Sequence, residues 1–386
     1  MAPSGMDAHT LAHRLRSHAT DLGLVWMGVA PATIPDRDVA AYRRWIQTGH
    51  HGEMEYLARP DAMARRAALA ETLPGVRSVV MVAEPYPPED AEGVPEDRSL
   101  GVVARYARGR DYHKVLLRKL QALARSLPED VGARPYVDTG PLLERALGRR
   151  AGLGWQGKNT MLIHPKRGSY FFLGSLLLDA EVEGAEEAGE VEDHCGTCQA
   201  CLDACPTGAL LGRDETGAPV MDATRCISYL TIEQDGPIPE ELRPLLGNRV
   251  FGCDICQEVC PWNQRFAAEA GEPGYAARGA GERPVGVEAL PAEDVSAETH
   301  PGTETPPLVE LMHMTRDDWD TFSRGSAIRR AGYEGFKRNV AVAMGNWLAV
   351  LEDPPEAAVA VLREAEGDES ALVREHATWA LGRAQK

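Results

Sequence analysis

No stretch of this chain is apolar for long enough to cross a bilayer: the longest such run, residues 170–178, is far short of the roughly 20 residues a spanning helix needs. Residues 1–20 carry His, Arg and Asp where a secretory signal has its apolar core, and no twin-arginine pair precedes one. The expectation is a cytoplasmic protein with no membrane partner. Basic residues are also scarce. Lys and Arg total 41 against 58 Asp and Glu, a formal charge of -17, which excludes a protein that coats nucleic acid through its overall field. A local basic groove is still allowed, because the acids gather in residues 87–97, 181–193 and 267–307 while the bases gather elsewhere. Arg105, Arg108, Arg110, Lys114, Arg118 and Lys119 form one basic stretch; Arg145, Arg149, Arg150, Lys158, Lys166 and Arg167 form another. The 386 residues leave room for two to three domains, and 44% hydrophobic with 26% charged residues is the balance of a globular chain.

Cysteine is absent outside residues 195–260, and all eight fall inside that window. Scattered core thiols or cytoplasmic disulfides would not be so confined. Cys195, Cys198, Cys201 and Cys205, followed by Pro206, have the C-x2-C-x2-C-x3-C-P spacing of bacterial [4Fe-4S] ferredoxins. Cys253, Cys256 and Cys260, followed by Pro261, repeat its last three positions, with Cys226 displaced by an insertion. In two-cluster ferredoxins the fourth cysteine of each motif ligates the other cluster. The expected quartets are therefore Cys195, Cys198, Cys201 and Cys260, and Cys226, Cys253, Cys256 and Cys205. Two zinc sites are the alternative, but zinc ribbons rarely place three consecutive cysteines at x2 and x3 before a proline. Electrons move through this module, and the module alone does not name the reaction.

Residues 152–157 match G-x-G-x-x-G, with Asp179 at about the distance of a ribose-binding acid. The context is wrong for a dinucleotide site, since residues 141–150 read as a helix closed by Gly152 and residues 161–164 as a strand. The same segment matches G-x4-G-K, but Asn159 stands where a nucleotide-binding loop needs Ser or Thr. A plain helix-to-strand turn does not explain why Trp155, Gln156, Lys158 and Asn159 occur together.

Residues 1–186 alternate helix-like and strand-like segments, including a helix near residues 10–22 and strands at 78–82 and 170–178, and read as an α/β domain with α+β elements possible. Residues 187–266 are a ferredoxin-like two-cluster module, and residues 267–307 are a linker or insertion by composition. Residues 308–386 are helical. There 337–345 and 374–382 form a weak repeat, with a further helix at 354–366 between them, at the spacing of HEAT-like repeats. A helical cap over the cluster module is the plainer alternative.

Several motifs occur together and in order: residues 104–113 (ARYARGRDYH), 137–145 (VDTGPLLER), 151–159 (AGLGWQGKN), both cysteine motifs, 225–230 (RCISYL) and 247–254 (GNRVFGCD). In these the chain resembles the epoxyqueuosine reductases over most of its length, the acidic segment 267–307 being the main departure. The resemblance implies a cobalamin enzyme with two [4Fe-4S] clusters that reduces the epoxide of epoxyqueuosine at the tRNA wobble position, the last step to queuosine. It implies corrin contacts at Arg66, Ala104, Asp138, Leu162, Leu173, Ser228 and Asp254. No D-x-H-x-x-G motif is present, in keeping with the family's base-off cofactor.

Opening the epoxide and removing its oxygen as water requires two electrons and a proton donor for the oxygen. The resemblance makes Asp138 that acid, provided that burial raises its pKa; as a local feature, Asp138 would suit the free N–H groups of a helix starting at Pro141. The expected partners are a tRNA anticodon stem-loop carrying epoxyqueuosine, contacted by Arg330, Lys337 and Arg338, and an external low-potential electron donor. A monomer is expected. A cobalamin-dependent reductive dehalogenase is the alternative enzyme, although such enzymes are commonly exported and need no helical repeat for RNA. An electron carrier is the other, but it would leave the N-terminal half without a role.

Overall fold

Residues 78–85 are Ser-Val-Val-Met-Val-Ala-Glu-Pro, an apolar run bounded by turn residues, and they form a strand buried along its whole length. The computed structural model describes residues 6–24, 26–89, 97–184, 189–279 and 302–384. The Ser78–Pro85 strand lies inside a four-stranded sheet, between Trp26–Pro31 on one side and Phe171–Leu178 on the other, with Ala133–Tyr136 beyond the latter. All three pairings are antiparallel. Helix-strand alternation thus does not produce a parallel α/β sheet here, and the N-terminal domain is α+β.

Alternation along the strands divides the core into two layers. Val80, Val82, Leu176 and Leu178 face the helices Ala8–Asp21 and Tyr112–Arg125. Val79, Met81, Ala83 and Leu177 face the helices Asp36–Gln47 and Glu144–Arg150. The Tyr112–Arg125 helix approaches closely because Gly174 lacks a side chain; a Cβ there would lie 2.8 Å from Leu120. The helix expected over 141–150 begins only at Glu144, so Asp138 caps no helix start.

The cluster module is built from short helices, Ala200–Ala204 and Ile255–Glu258, and the hairpin Leu210–Arg213 with Pro219–Met221. Arg249–Phe251 pairs in parallel with Val102–Val103, joining this module to the N-terminal domain. The C-terminal helices pack into that junction: Phe336, Val340 and Met344 share one cluster with Val103, Val250 and Phe251. The two copies of the weak repeat lie on helices Tyr333–Leu348 and Ala371–Ala384, which meet at Gly345, where a Cβ would lie 2.7 Å from the Trp379 ring.

The segment 267–307 is not a linker throughout. Tyr275 is buried and donates to Glu84 at 2.6 Å, and Thr303, also buried, donates to the Arg108 carbonyl at 2.5 Å. Composition concealed these anchors; residues 280–301 lie outside the described set. Among the described residues no helix is long and apolar enough to cross a membrane.

Candidate active site

Asp111 caps the Tyr112–Arg125 helix by accepting from the His113 N–H, which fixes the first turn and with it both rings at residues 112 and 113. The Tyr112 hydroxyl donates to Asp138 Oδ2 at 2.8 Å, and His113 Nε2 lies 3.2 Å from the same oxygen. His113 Nδ1 is 2.8 Å from Asp111 Oδ1, so the imidazole is held between two carboxylates. Tyr112 in turn stacks on Phe172, with ring centroids 4.1 Å apart. Asp138 has φ 54°, a left-handed conformation that aspartate tolerates at a cost. Both carboxyl oxygens of Glu144 accept from its N–H, at 3.2 and 3.1 Å, and Ser175 Oγ donates to Glu144 at 3.2 Å.

These groups are poised in opposite directions. Desolvation acts to raise the Asp138 pKa, but hydrogen bonds from His113 and Tyr112 and the positive charges of His113 and Arg145 outweigh it and hold the carboxyl below its usual range. The expected rise with burial is therefore corrected: desolvation acts in that direction, but the paired cations and donors reverse it, and the side chain is 63% exposed. Desolvation would lower His113, yet Asp111 and Asp138 together carry it up to about 9. Burial, then the neighbouring Asp138 charge, pushes Glu144 up to about 8. At neutral pH the site holds a carboxylate, an imidazolium and a protonated carboxyl within one short loop and one helix turn.

Four of the other expected cofactor contacts fall into two groups. Leu162 and Leu173 meet over Gly148, one turn along the helix from Glu144, and Leu173 shares a strand face with Ser175. Ala104 packs against Gly252, and the next residue, Arg105, donates from its backbone N–H to Asp254 Oδ2 at 2.7 Å. Burial raises the Asp254 pKa despite Arg105. Tyr106 joins the groups, because the charges of both Asp138 and Asp254 act on its hydroxyl. Arg66 is buried on the Pro60–Ala67 helix, its guanidinium 5.8 Å from the Tyr42 ring. Ser228 is half-buried, two residues after Cys226.

Tyr106, Tyr112, His113 and Glu144 were not marked as site residues in the sequence. The signal available for two of them was Asp111 followed at once by Tyr112 and His113 at the head of an amphipathic helix.

The eight cysteines are all free. Cys201 feels the charges of Cys195, Cys260 and Cys198, and Cys260 those of Cys195 and Cys198. Cys256 feels Cys253 and Cys226, and Cys226 feels Cys205. Cys201 also acts on Cys256, so the two quartets are neighbours. Burial pushes the thiols of Cys201 up to about 11 and Cys253 up to about 12, protons that a bound iron must displace. Among the described residues no three His, Cys, Asp or Glu side chains converge on a single-ion site. The four-thiolate donor sets fit [4Fe-4S] clusters.

The basic residues divide sharply. Arg338 is 1% exposed, and its five N–H groups are directed to the carbonyls of Leu230, Gln234 and Gly236 and twice to the Asn339 side chain. It has no donor left for a phosphate, which corrects its assignment as an RNA contact. Lys337 is also buried, 3.5 Å from Asp368. Arg330 is exposed; it pairs with Glu233 at 2.8 Å and lies 5.6 Å from the Tyr56 ring. Tyr56 also feels the Asp138 charge. In the first basic stretch Arg105 and Arg108 are buried, and Lys119 is paired with Glu84 and Glu272.

Comparison with known proteins gives this arrangement its relatives. Residues 194–263 match the family described as 4Fe-4S double cluster binding domain, and residues 66–139 the family described as Epoxyqueuosine reductase QueG, DUF1730. An epoxyqueuosine reductase of Pseudomonas aeruginosa is 40% identical over 98% of this chain and 95% of its own length. A crystal structure of epoxyqueuosine reductase with an epoxyqueuosine-modified tRNA-Tyr stem loop superposes with TM-score 0.82 at 28% identity, covering 98% of this chain and 92% of that one. The Bacillus subtilis enzyme, in a structure with its catalytic loop swung out of the active site, gives TM-score 0.77 at 28% identity, covering 98% and 91%. Being 40% identical over nearly its whole length to a curated relative, and carrying both matched domains in order, this chain belongs to the epoxyqueuosine reductase family.

Proposed function

We propose that this protein reduces epoxyqueuosine to queuosine at the wobble position of tRNA, with cobalamin bound beside Asp138 and electrons from an external low-potential donor. Residues 1–186 form the catalytic domain, 187–266 the cluster domain and 308–386 a HEAT-like helical domain on the RNA side. The observation that carries the reading is the Asp138–His113–Glu144 constellation, set in a two-cluster chain 40% identical to a curated epoxyqueuosine reductase. In this reading Leu162, Leu173 and Ala104 would supply apolar contacts and Ser228, Asp254 and Arg66 polar ones, a mixture that suits the broad, amide-edged corrin ring. When bound, cobalamin and the clusters supply two electrons, one at a time, which with two protons convert the epoxide to an alkene and water.

The chain's own part is to place the substrate and move protons. An unpaired anticodon base enters a recess without the cost of opening a duplex. Arg330, exposed at the surface, can reach a phosphate, and the half-exposed Tyr56 ring beside it offers a stacking face. Substrate filling the recess removes water from Asp138, which strengthens the desolvation that already opposes its ionisation. The proton shared at Oδ2 then moves from His113 Nε2 to the carboxyl, and from there to the departing oxygen. The same relay, reprotonated from solvent at His113, delivers the second proton that lets the oxygen leave as water. Glu144, protonated below about pH 8, keeps a second negative charge away from Asp138 and anchors its N–H.

The test is anaerobic incubation of the cluster- and cobalamin-loaded chain with tRNA carrying epoxyqueuosine, followed by nucleoside analysis. Appearance of queuosine supports the reading. No turnover of the tRNA, together with reductive removal of halide from an aryl halide, would establish the dehalogenase alternative.

A further inference from the structure

The glycine segment that suits neither a dinucleotide nor a nucleotide has a different partner in the structure. Trp155–Gln156 pairs antiparallel with Leu162–Ile163, closing a tight hairpin at the edge of the N-terminal domain. A Cβ on Gly154 would lie 2.2 Å from the Ile163 carbonyl oxygen, so only glycine allows the two backbones to approach this closely. The hairpin carries its polar groups into the cysteine module. Trp155 is buried, meets Trp262 and His194 edge-on, and directs its Nε1–H to Cys195 Sγ at 3.5 Å. Lys158 Nζ donates to the carbonyls of Gly196 and Cys198, both at 2.8 Å. Asn159 reaches towards the other quartet, donating to the Cys256 carbonyl at 3.2 Å.

Reducing a cluster adds negative charge to its sulfurs. An N–H aimed at a ligating sulfur, or an ammonium beside the ligand loop, stabilises the reduced form more than the oxidised form. Trp155 and Lys158 both act on the Cys195–Cys198 turn, whereas Asn159 is neutral and touches only a backbone oxygen of the second quartet. We propose that Trp155 and Lys158 are positioning residues that raise the reduction potential of the cluster held by Cys195, Cys198, Cys201 and Cys260. The second cluster's potential is set by other groups. This assignment rests on the reading of the eight cysteines as two cluster frames. It also accounts for the company that Trp155 and Lys158 keep in one glycine loop: the catalytic domain tunes the frame whose Cys198 is exposed and accessible to an outside donor.

The experiment is a redox titration of the full, anaerobically reconstituted chain followed by electron paramagnetic resonance, with iron content measured first. Trp155→Phe keeps the ring and removes the N–H; Lys158→Met removes the charge; Lys158→Arg retains it. Each of the first two variants is expected to hold its iron and to lower one of two midpoint potentials while leaving the other in place. Every lowering of about 59 mV is a tenfold drop in the reduced-to-oxidised ratio at a fixed donor potential. Lys158→Arg should restore the wild-type value. Unchanged midpoints in iron-replete Trp155→Phe and Lys158→Met, or equal shifts of both clusters, overturn the proposal. Iron loss from all three variants overturns it too, marking the loop as a brace. A wild-type chain lacking two [4Fe-4S] signals would instead sink the cluster reading beneath it.

Discussion

The loop around Asp138 and the inner face of the Tyr333–Leu348 helix both carry charges that sequence reasoning singles out, and they use them in opposite ways. Arg338 spends all five donors on backbone and side-chain oxygens inside the protein, and its neighbour Asn339 donates to the carbonyls of Thr231 and Val250 at 2.8 and 3.0 Å. Asn346 does the same for Arg243 and Gly247. These side chains tie the C-terminal helix to the cluster module. At Asp138 the charges are also paired, but the carboxylate stays exposed and its partners His113 and Glu144 titrate at about 9 and about 8. A charge available for chemistry is one whose partners leave it accessible and whose protonation can change; sequence position gives neither property.

The sharpest way to break this comparison is to remove the buried arginine. Arg338→Ala leaves several buried carbonyls without a donor and is expected to cost about 3–5 kcal/mol of stability, read from denaturant unfolding. Its folded fraction should bind tRNA like wild type. A selective loss of tRNA affinity at unchanged stability would return Arg338 to the RNA surface.

A change at the open site should have the reverse signature. His113→Gln is expected to lower turnover about 10²-fold while leaving iron, cobalamin and fold in place. Its pH behaviour has a definite sign. His113 is raised from 6.5 to about 9 on folding, so its ion pairs stabilise the protein fully below about pH 6.5 and lose that effect as pH rises through 9. Wild-type stability should therefore fall across that window more steeply than that of His113→Gln. Equal slopes would show that the imidazole carries no proton there. Activity should decline over the same alkaline range, where Glu144 ionises first, near 8.

The smallest effect belongs to the rim. Arg330→Glu should weaken tRNA binding and flatten its salt dependence by under one unit in the log–log slope, since one exposed arginine makes at most one phosphate contact. Reduction of a free epoxyqueuosine nucleoside should be unaffected. An unchanged slope would remove Arg330, and with it the C-terminal helices, from the RNA surface.

The parts of this molecule that were legible in the sequence are those fixed by local spacing. Cysteines three and four residues apart announce a cluster loop whatever surrounds them, and the helix Ala8–Asp21 and the strands Ser78–Pro85 and Phe171–Leu178 follow from periodicity. Sheet direction was not legible, because alternation of helices and strands is common to parallel and antiparallel arrangements. Asp138 came from family resemblance alone. Its partners were hidden for a physical reason: Tyr112, His113, Glu144 and Ser175 are brought together by a helix cap, a left-handed residue and a central strand that are distant in sequence. Arg338 misled because a polar residue satisfied entirely inside the protein looks, in sequence, like a surface charge.

The most direct test of the account is Asp138→Asn, measured for iron, cobalamin, tRNA affinity and multiple-turnover conversion of epoxyqueuosine to queuosine on the same preparation. The amide keeps the shape of the carboxylate and the hydrogen bond from Tyr112, but it cannot take up the His113 proton and pass it to oxygen. The expected result is intact cofactors and tRNA binding with turnover lowered about 10²-fold or more at every pH. A near-normal rate across the pH range would contradict the account and assign proton delivery to another group.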